Sequence, residues 1–188
     1  MSDIISLCPY HRVADRNSTV PYYEGSATLL ARGEETGGRF ALCVNEVTRG
    51  KEPRPHIHER EDEFYYVLEG EIEAYCGAEV YQVRAGEIVF LPHGMPRTFN
   101  CVTQSARILV QATAVDGESV SADRFLLAMA ALWVDLGDAA SDPTVFQEKI
   151  LQIAAAHHVR LVPPSELEKL MPHYPGPGNG PKSQSLPR

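Results

Sequence analysis

Nothing in this chain approaches the roughly 18 consecutive apolar residues of a membrane-spanning helix, so no membrane partner is expected. Basic residues are also scarce: 17 Lys and Arg stand against 25 Asp and Glu, a formal net charge of −8. That balance opposes attraction to phosphate backbones and anionic lipid, which removes nucleic acid from the expected partners. The four cysteines, Cys8, Cys43, Cys76 and Cys101, form no CxxC pair and keep no regular spacing. A zinc knuckle and a small disulfide framework are therefore not signalled, and the four read as reduced structural residues. Met1 to Tyr10 carry neither the positive n-region nor the long apolar run of a secretory signal, and a cytoplasmic location is expected. No internal repeat is visible, so a single motif set is expected.

The 188 residues, 44% hydrophobic and 22% charged, suffice for one globular domain with a substantial core. From about Thr28 to about Thr113, short β-rich runs alternate with turn residues such as Glu69-Gly70, Cys76-Gly77 and His93-Gly94. The text then becomes rich in Ala and Leu. Ser121 is positioned to cap a helix running through Leu132, Ser141-Asp142-Pro143 to open a second, and Ser165 with Glu168 to start a short third. The expected organisation is an N-terminal arm (1–27), a β-barrel (28–115), C-terminal helices (116–171) and a Pro/Gly-rich tail (172–188) that stays flexible unless it docks.

The chemistry-bearing stretch is Gly50-Lys-Glu-Pro-Arg-Pro-His56-Ile-His58-Glu-Arg-Glu-Asp-Glu63, followed by an apolar, aromatic run to Gly70. Two histidines at spacing two on an extended chain point to one face, with a carboxylate five residues on. Two imidazoles and a carboxylate suit one divalent metal ion, Fe, Mn, Ni, Co or Zn, and match the ligand set of non-haem iron oxygenases. By alternation, Tyr65 and Val67 share Glu63's side of the strand and are expected to line a cavity, whereas Phe64 and Tyr66 face the other way. Glu61 and Asp62 read as solvated loop charges, with Asp62 as the fallback ligand if the register is four. His157-His158 reads as a helix end, where imidazole complements the terminal dipole.

The spacing Gly50, His56, His58, Glu63, Gly70, followed by Gly86-Glu-Ile-Val-Phe-Leu-Pro92-His-Gly94, resembles the two motifs of the cupin superfamily. Within it, the stretch from Gly50 to about Phe99 resembles single-domain quercetin-dioxygenase-like cupins. The resemblance implies an all-β fold, a cupin jelly-roll β-barrel with a small C-terminal helical appendage, a metal on His56, His58 and Glu63, and Glu63 doubling as general base. It also implies a small aromatic, flavonol-like or polyketide substrate near Tyr65, Val67 and Phe99, and a homodimer.

One position departs from the pattern: Arg97 stands where the resemblance places a fourth ligand histidine, and Cys101 where it places an asparagine. Arginine has donors but no lone pair, so it cannot ligate a cation. Three arrangements follow. His56, His58 and Glu63 hold metal alone; Arg97 pairs with Glu63 or with substrate, as a catalytic and binding residue that stabilises an oxyanion; or His93 swings in as the fourth ligand. The leading expectation is oxygenase chemistry, with non-oxidative chemistry (isomerase, cyclase, dehydratase or decarboxylase) or a small-acid binding module as alternatives.

Overall fold

A computed structural model describes residues 7–115, 117–136 and 143–181. Among them are eleven strands and three α-helices. The strands are β1 (Thr19–Tyr22), β2 (Gly25–Ala31), β3 (Phe40–Thr48), β4 (His56–His58), β5 (Glu61–Glu69), β6 (Glu71–Cys76), β7 (Glu79–Arg84), β8 (Ile88–Leu91), β9 (Arg97–Cys101), β10 (Ser105–Ala114) and β11 (Val159–Leu161). The helices are α1 (Ala122–Leu136), α2 (Pro143–Ala156) and α3 (Pro164–Leu170). The strands form two antiparallel sheets, ordered β1-β2-β3-β10-β5-β8 and β11-β4-β9-β6-β7. This is the jelly-roll barrel expected.

The alternation of β5 shows why the sequence folds this way. Glu61, Glu63, Tyr65 and Val67 are buried, while Asp62, Phe64 and Tyr66 are half-buried or exposed. β3 does the same, turning Ala41, Cys43, Asn45 and Val47 inward. The inward sets meet in one apolar core that includes Leu29, Ile72, Leu91, Phe99 and Ile108. Gly70 makes the β5–β6 hairpin possible: its φ is +81°, and a Cβ there would lie 2.5 Å from the Ser105 carbonyl oxygen.

Three boundaries differ from those read in the sequence. The first sheet begins inside the stretch expected as an arm, because the Pro-containing β1 is an edge strand that pairs only with β2. The helical appendage contributes β11, which pairs with the histidine strand in the register Val159↔His58 and Leu161↔His56. α3 starts at Pro164, the first helical position, without a side-chain cap from Ser165. The opening of α2 by Ser141-Asp142 and the end of the tail, 182–188, lie outside the described residues. Residues 172–181 run along the barrel of their own chain: the Arg49 guanidinium donates to the carbonyls of Gly180 and Pro181, and Asn100 exchanges hydrogen bonds with Gly176 and Gly178.

Candidate metal centre

β4 and β5 bring His56, His58 and Glu63 together, with one ligand atom from each lying within 4.8 Å of the others. All three are buried. Each histidine has its Nδ1 engaged elsewhere: that of His56 lies 2.8 Å from the Arg54 carbonyl oxygen, and that of His58 lies 2.8 Å from Glu61 Oε2. A carbonyl or carboxylate oxygen can only accept, so Nδ1 carries the proton and Nε2 keeps its lone pair. Burial, followed by the neighbouring His58, pushes the His56 pKa down to about 4, which leaves a neutral imidazole at pH 7.

The two oxygens of Glu63 are divided between tasks. Oε2 accepts from the Tyr65 hydroxyl at 3.2 Å and from Arg97 Nη1 at 3.3 Å. Oε1 faces His58 Nε2 at 3.6 Å. Burial alone would raise the Glu63 pKa, but electrostatic interaction with the neighbouring His58, Arg97 and His56 and the Tyr65 hydrogen bond outweigh it and hold the group below its ordinary value. Tyr65 is shifted well upward, by burial and then by the Glu63 charge, so its hydroxyl stays a donor.

These residues fit a divalent ion. Ligand atoms each about 2.1 Å from a metal lie roughly 3–4 Å apart. The 3.6 Å pair already has that spacing, and small side-chain shifts close the rest. Two imidazoles with Nδ1 engaged elsewhere and one carboxylate also form a donor set that such an ion prefers over bare water.

Arg97 occupies the strand position opposite His56, but its side chain turns into the protein. It is fully buried, and its Nη1 and Nε donate to the carbonyls of Leu91 at 2.8 Å and Met95 at 3.3 Å. Nη2 donates to the carbonyl of Pro92. The expected pairing with Glu63 is therefore present. Arg97 is not among the residues lining the cavity beside the cluster, and its guanidinium donates to Glu63, to the Leu91 carbonyl at the end of β8 and to the loop before β9. His93 does not join the cluster either: it is exposed and hydrogen-bonds Asp62, the fallback ligand, at 2.8 Å.

An enclosed space of about 50 Å³ adjoins the three residues. By the measure in which one water takes about 10–15 Å³, it holds about four waters or one small ring. Tyr65 and Phe99 line it and pack edge to face, with ring centroids 5.8 Å apart. Val67 does not line it; two residues further along β5, it is fully enclosed in the core. Further lining comes from outside the motif segment: Ala122, Asp123, Phe125 and Leu126 of α1, and Val159 and Leu161 of β11.

One functional residue was misread from the sequence. Glu61 is not a solvated loop charge but 2% exposed. Its Oε2 orients His58, while its Oε1 accepts from the backbone N–H groups of Ser121 and Ala122, the latter at 3.0 Å. It thus caps α1, a role expected of Ser121, whose hydroxyl instead donates to the His157 carbonyl at 3.0 Å. Two signals could have found it: Glu61 shares Glu63's side of β5, and β5 begins earlier than the apolar run suggests.

Residues 44–111 match the family of the cupin domain. The cupin segment spans β3 to β10 and contains the whole cluster. Among curated proteins, the chain is 26% identical over 83 residues to a quercetin 2,3-dioxygenase of Bacillus subtilis, covering 44% of this chain and 25% of that protein. It is 33% identical over 57 residues to an uncharacterized protein of Streptomyces coelicolor, covering 30% and 51% respectively. The chain therefore spans about a quarter and about half of the curated relatives it matches. Among solved structures, a predicted oxalate decarboxylase from Thermotoga maritima superposes with a TM-score of 0.49 at 18% identity, covering 55% of this chain and all of that one. No helix among the described residues is long and apolar enough to cross a membrane.

Proposed function

We propose that the protein is a metal-dependent cupin enzyme performing oxygenase-type chemistry on a substrate no larger than about one ring. The observation that carries this reading is the division of labour around Glu63: Oε2 is held from the protein side by Arg97 and Tyr65, while Oε1 and two imidazoles with engaged Nδ1 atoms converge beside the cavity. When bound, a divalent ion supplies Lewis acidity and, for a redox metal, electron transfer to dioxygen. His58, Arg97 and His56, with the Tyr65 hydrogen bond, favour the ionised form of Glu63, so its carboxylate is available to accept a substrate proton. Tyr65 and Phe99 flank the substrate, and the α1 wall excludes water. The partial match to a quercetin 2,3-dioxygenase points to the same chemistry. A three-ring flavonol, however, exceeds a space well below the roughly 300–1,000 Å³ of pockets for drug-sized ligands.

The test begins with elemental analysis after purification, then reconstitution with Fe(II), Mn(II), Ni(II), Co(II) and Zn(II). His56→Ala and Glu63→Ala are each expected to abolish metal retention while a folded circular dichroism spectrum persists. Wild-type protein that retains none of these ions would overturn the metal reading. Oxygen-electrode traces with single-ring phenols and small hydroxy acids then separate the classes. Turnover without oxygen uptake would transfer the site to non-oxidative chemistry.

A homodimer belongs to the same proposal. β8 is the free edge of the six-stranded sheet, and its outer face exposes Ile88 and Phe90 beside Phe64 and Tyr66. A second copy is the occupant such an edge suits. Light scattering is expected to give a dimer that Ile88→Lys converts to monomer.

A further inference from the structure

The first turn of α1 places a second carboxylate in the cavity wall, outside the histidine cluster. Asp123 is 3% exposed and lines the same space as His56, His58 and Glu63. Its Oδ2 accepts from the Gly33 backbone N–H at 3.1 Å, which fixes the side chain. Its Oδ1 has no hydrogen-bond partner among the described residues. A buried acceptor left so costs about 1–3 kcal/mol, and more when charged, and native proteins rarely leave one without a water, ion or ligand to fill it. The buried Cys43, Glu63 and Asp123 all line this one space. Much of the remaining lining is apolar: Leu29, Ala41, Leu42, Val110, Ala112 and Phe125. The cavity thus has carboxylates on two elements, Glu63 on β5 and Asp123 on α1, in a lining that is otherwise largely apolar apart from the two histidines, Asn45 and the tyrosines Tyr22, Tyr23 and Tyr65.

We infer that Asp123 is a second recognition point: its Oδ1 accepts a hydrogen bond from a hydroxyl or ammonium group on a small substrate whose other end is held at the metal cluster. This rests on the metal reading above. It defines the substrate class as short, bifunctional molecules, with an oxygen donor for the metal at one end and a hydrogen-bond donor at the other. The volume of about 50 Å³ limits the spacer to a few atoms. A carboxylate serving only the dipole of α1 would leave ligand choice unaffected, so discrimination between ligands separates the two roles.

The probes are propanoate, 3-hydroxypropanoate and 3-aminopropanoate, with the corresponding four-carbon set, titrated into Co(II)-loaded protein while the Co(II) d–d bands are followed. In wild type, a hydroxy or amino acid of one set is expected to bind about tenfold more tightly than its parent acid. Asp123→Asn keeps an acceptor for the Gly33 N–H but offers an amide N–H₂ in place of Oδ1. It should abolish the preference for the amino acid while leaving the dissociation constant of the parent acid within error and the thermal midpoint within a few degrees. Equal affinities across each set in wild type, with the parent acids perturbing Co(II), would overturn the role of Asp123 and leave the metal site standing. An unchanged preference in Asp123→Asn would do the same. Protein that takes up no Co(II) would overturn both.

Discussion

The cavity has two kinds of wall, built on different scales of sequence. The β4–β5 wall takes His56, His58, Glu63 and Tyr65 from ten consecutive residues: alternation turns the two histidines one way on β4 and Glu63 with Tyr65 one way on β5, and the connection at 59–60 brings the two strands, one from each sheet, to the same cavity. The other wall, α1 and β11, takes Ala122, Asp123, Phe125, Val159 and Leu161 from the far end of the chain. Glu61 joins them, holding His58 with one oxygen and the N-terminus of α1 with the other. β11 joins them again by pairing with β4. The metal-binding face thus comes from two consecutive strands, one from each sheet, whereas the shape and selectivity of the cavity are properties of the contact between barrel and helices.

The largest expected effect lies on the local wall. Arg97→Met leaves Glu63 buried without its cation and the carbonyls of Leu91, Pro92 and Met95 without a donor. We expect a loss of about 3–5 kcal/mol in urea unfolding. A loss below about 1 kcal/mol would show that this wall does not depend on Arg97. Next is acid. The folded pKa of His56, about 4, lies below the ordinary 6.5, so the unfolded chain binds the extra proton between those values. Stability of metal-free protein is then complete above pH 6.5 and falls as the pH drops towards 4, by about 3 kcal/mol in total. The lowered Glu63 acts in the same direction at the acid end. Urea titrations at stepped pH on the chelated protein, compared with His56→Gln, isolate the His56 share; an identical acid limb in the variant would contradict the assignment.

Glu61→Gln tests the link between the walls. An amide keeps an acceptor for one partner but loses the charge that orients His58 and complements the α1 dipole. Metal affinity is expected to fall by about 10–100-fold, read by competition with a chromophoric chelator, together with a drop in stability of about 1 kcal/mol. A change in one readout without the other would mean that the walls act independently. Asp123→Asn is expected to be the mildest: Co(II) uptake unchanged and stability within about 1 kcal/mol, because the Gly33 hydrogen bond survives. A large loss of metal would show that the distant wall supports the cluster directly.

Where sequence reading succeeded and failed follows the same division. The inward set of β5 and the pairing of Arg97 with Glu63 were legible, because period-two alternation and the opposite charges of the two groups were both visible in the chain. The burial of Glu61 was not, because the partners that make a buried carboxylate tolerable are backbone N–H groups at Ser121 and Ala122, sixty residues away. Arg97 was recognised as a non-ligand, yet its direction away from the cavity depended on the carbonyl of Leu91 at the end of β8 and on those of Pro92 and Met95 in the loop before β9. The place of Val67 in the core rather than the cavity also went unseen, since alternation gives the face of a strand but not the depth along it.

The sequence by itself determined a β-barrel and marked His56, His58 and Glu63, because alternation within β4 and within β5 sets the direction of each strand's residues and only two residues separate the strands. Only the tertiary structure decided the size of the cavity, the buried role of Glu61 and the unpaired oxygen of Asp123. Each depends on what a distant segment places against the strand, and burial and hydrogen-bond satisfaction are properties of that contact rather than of either segment alone.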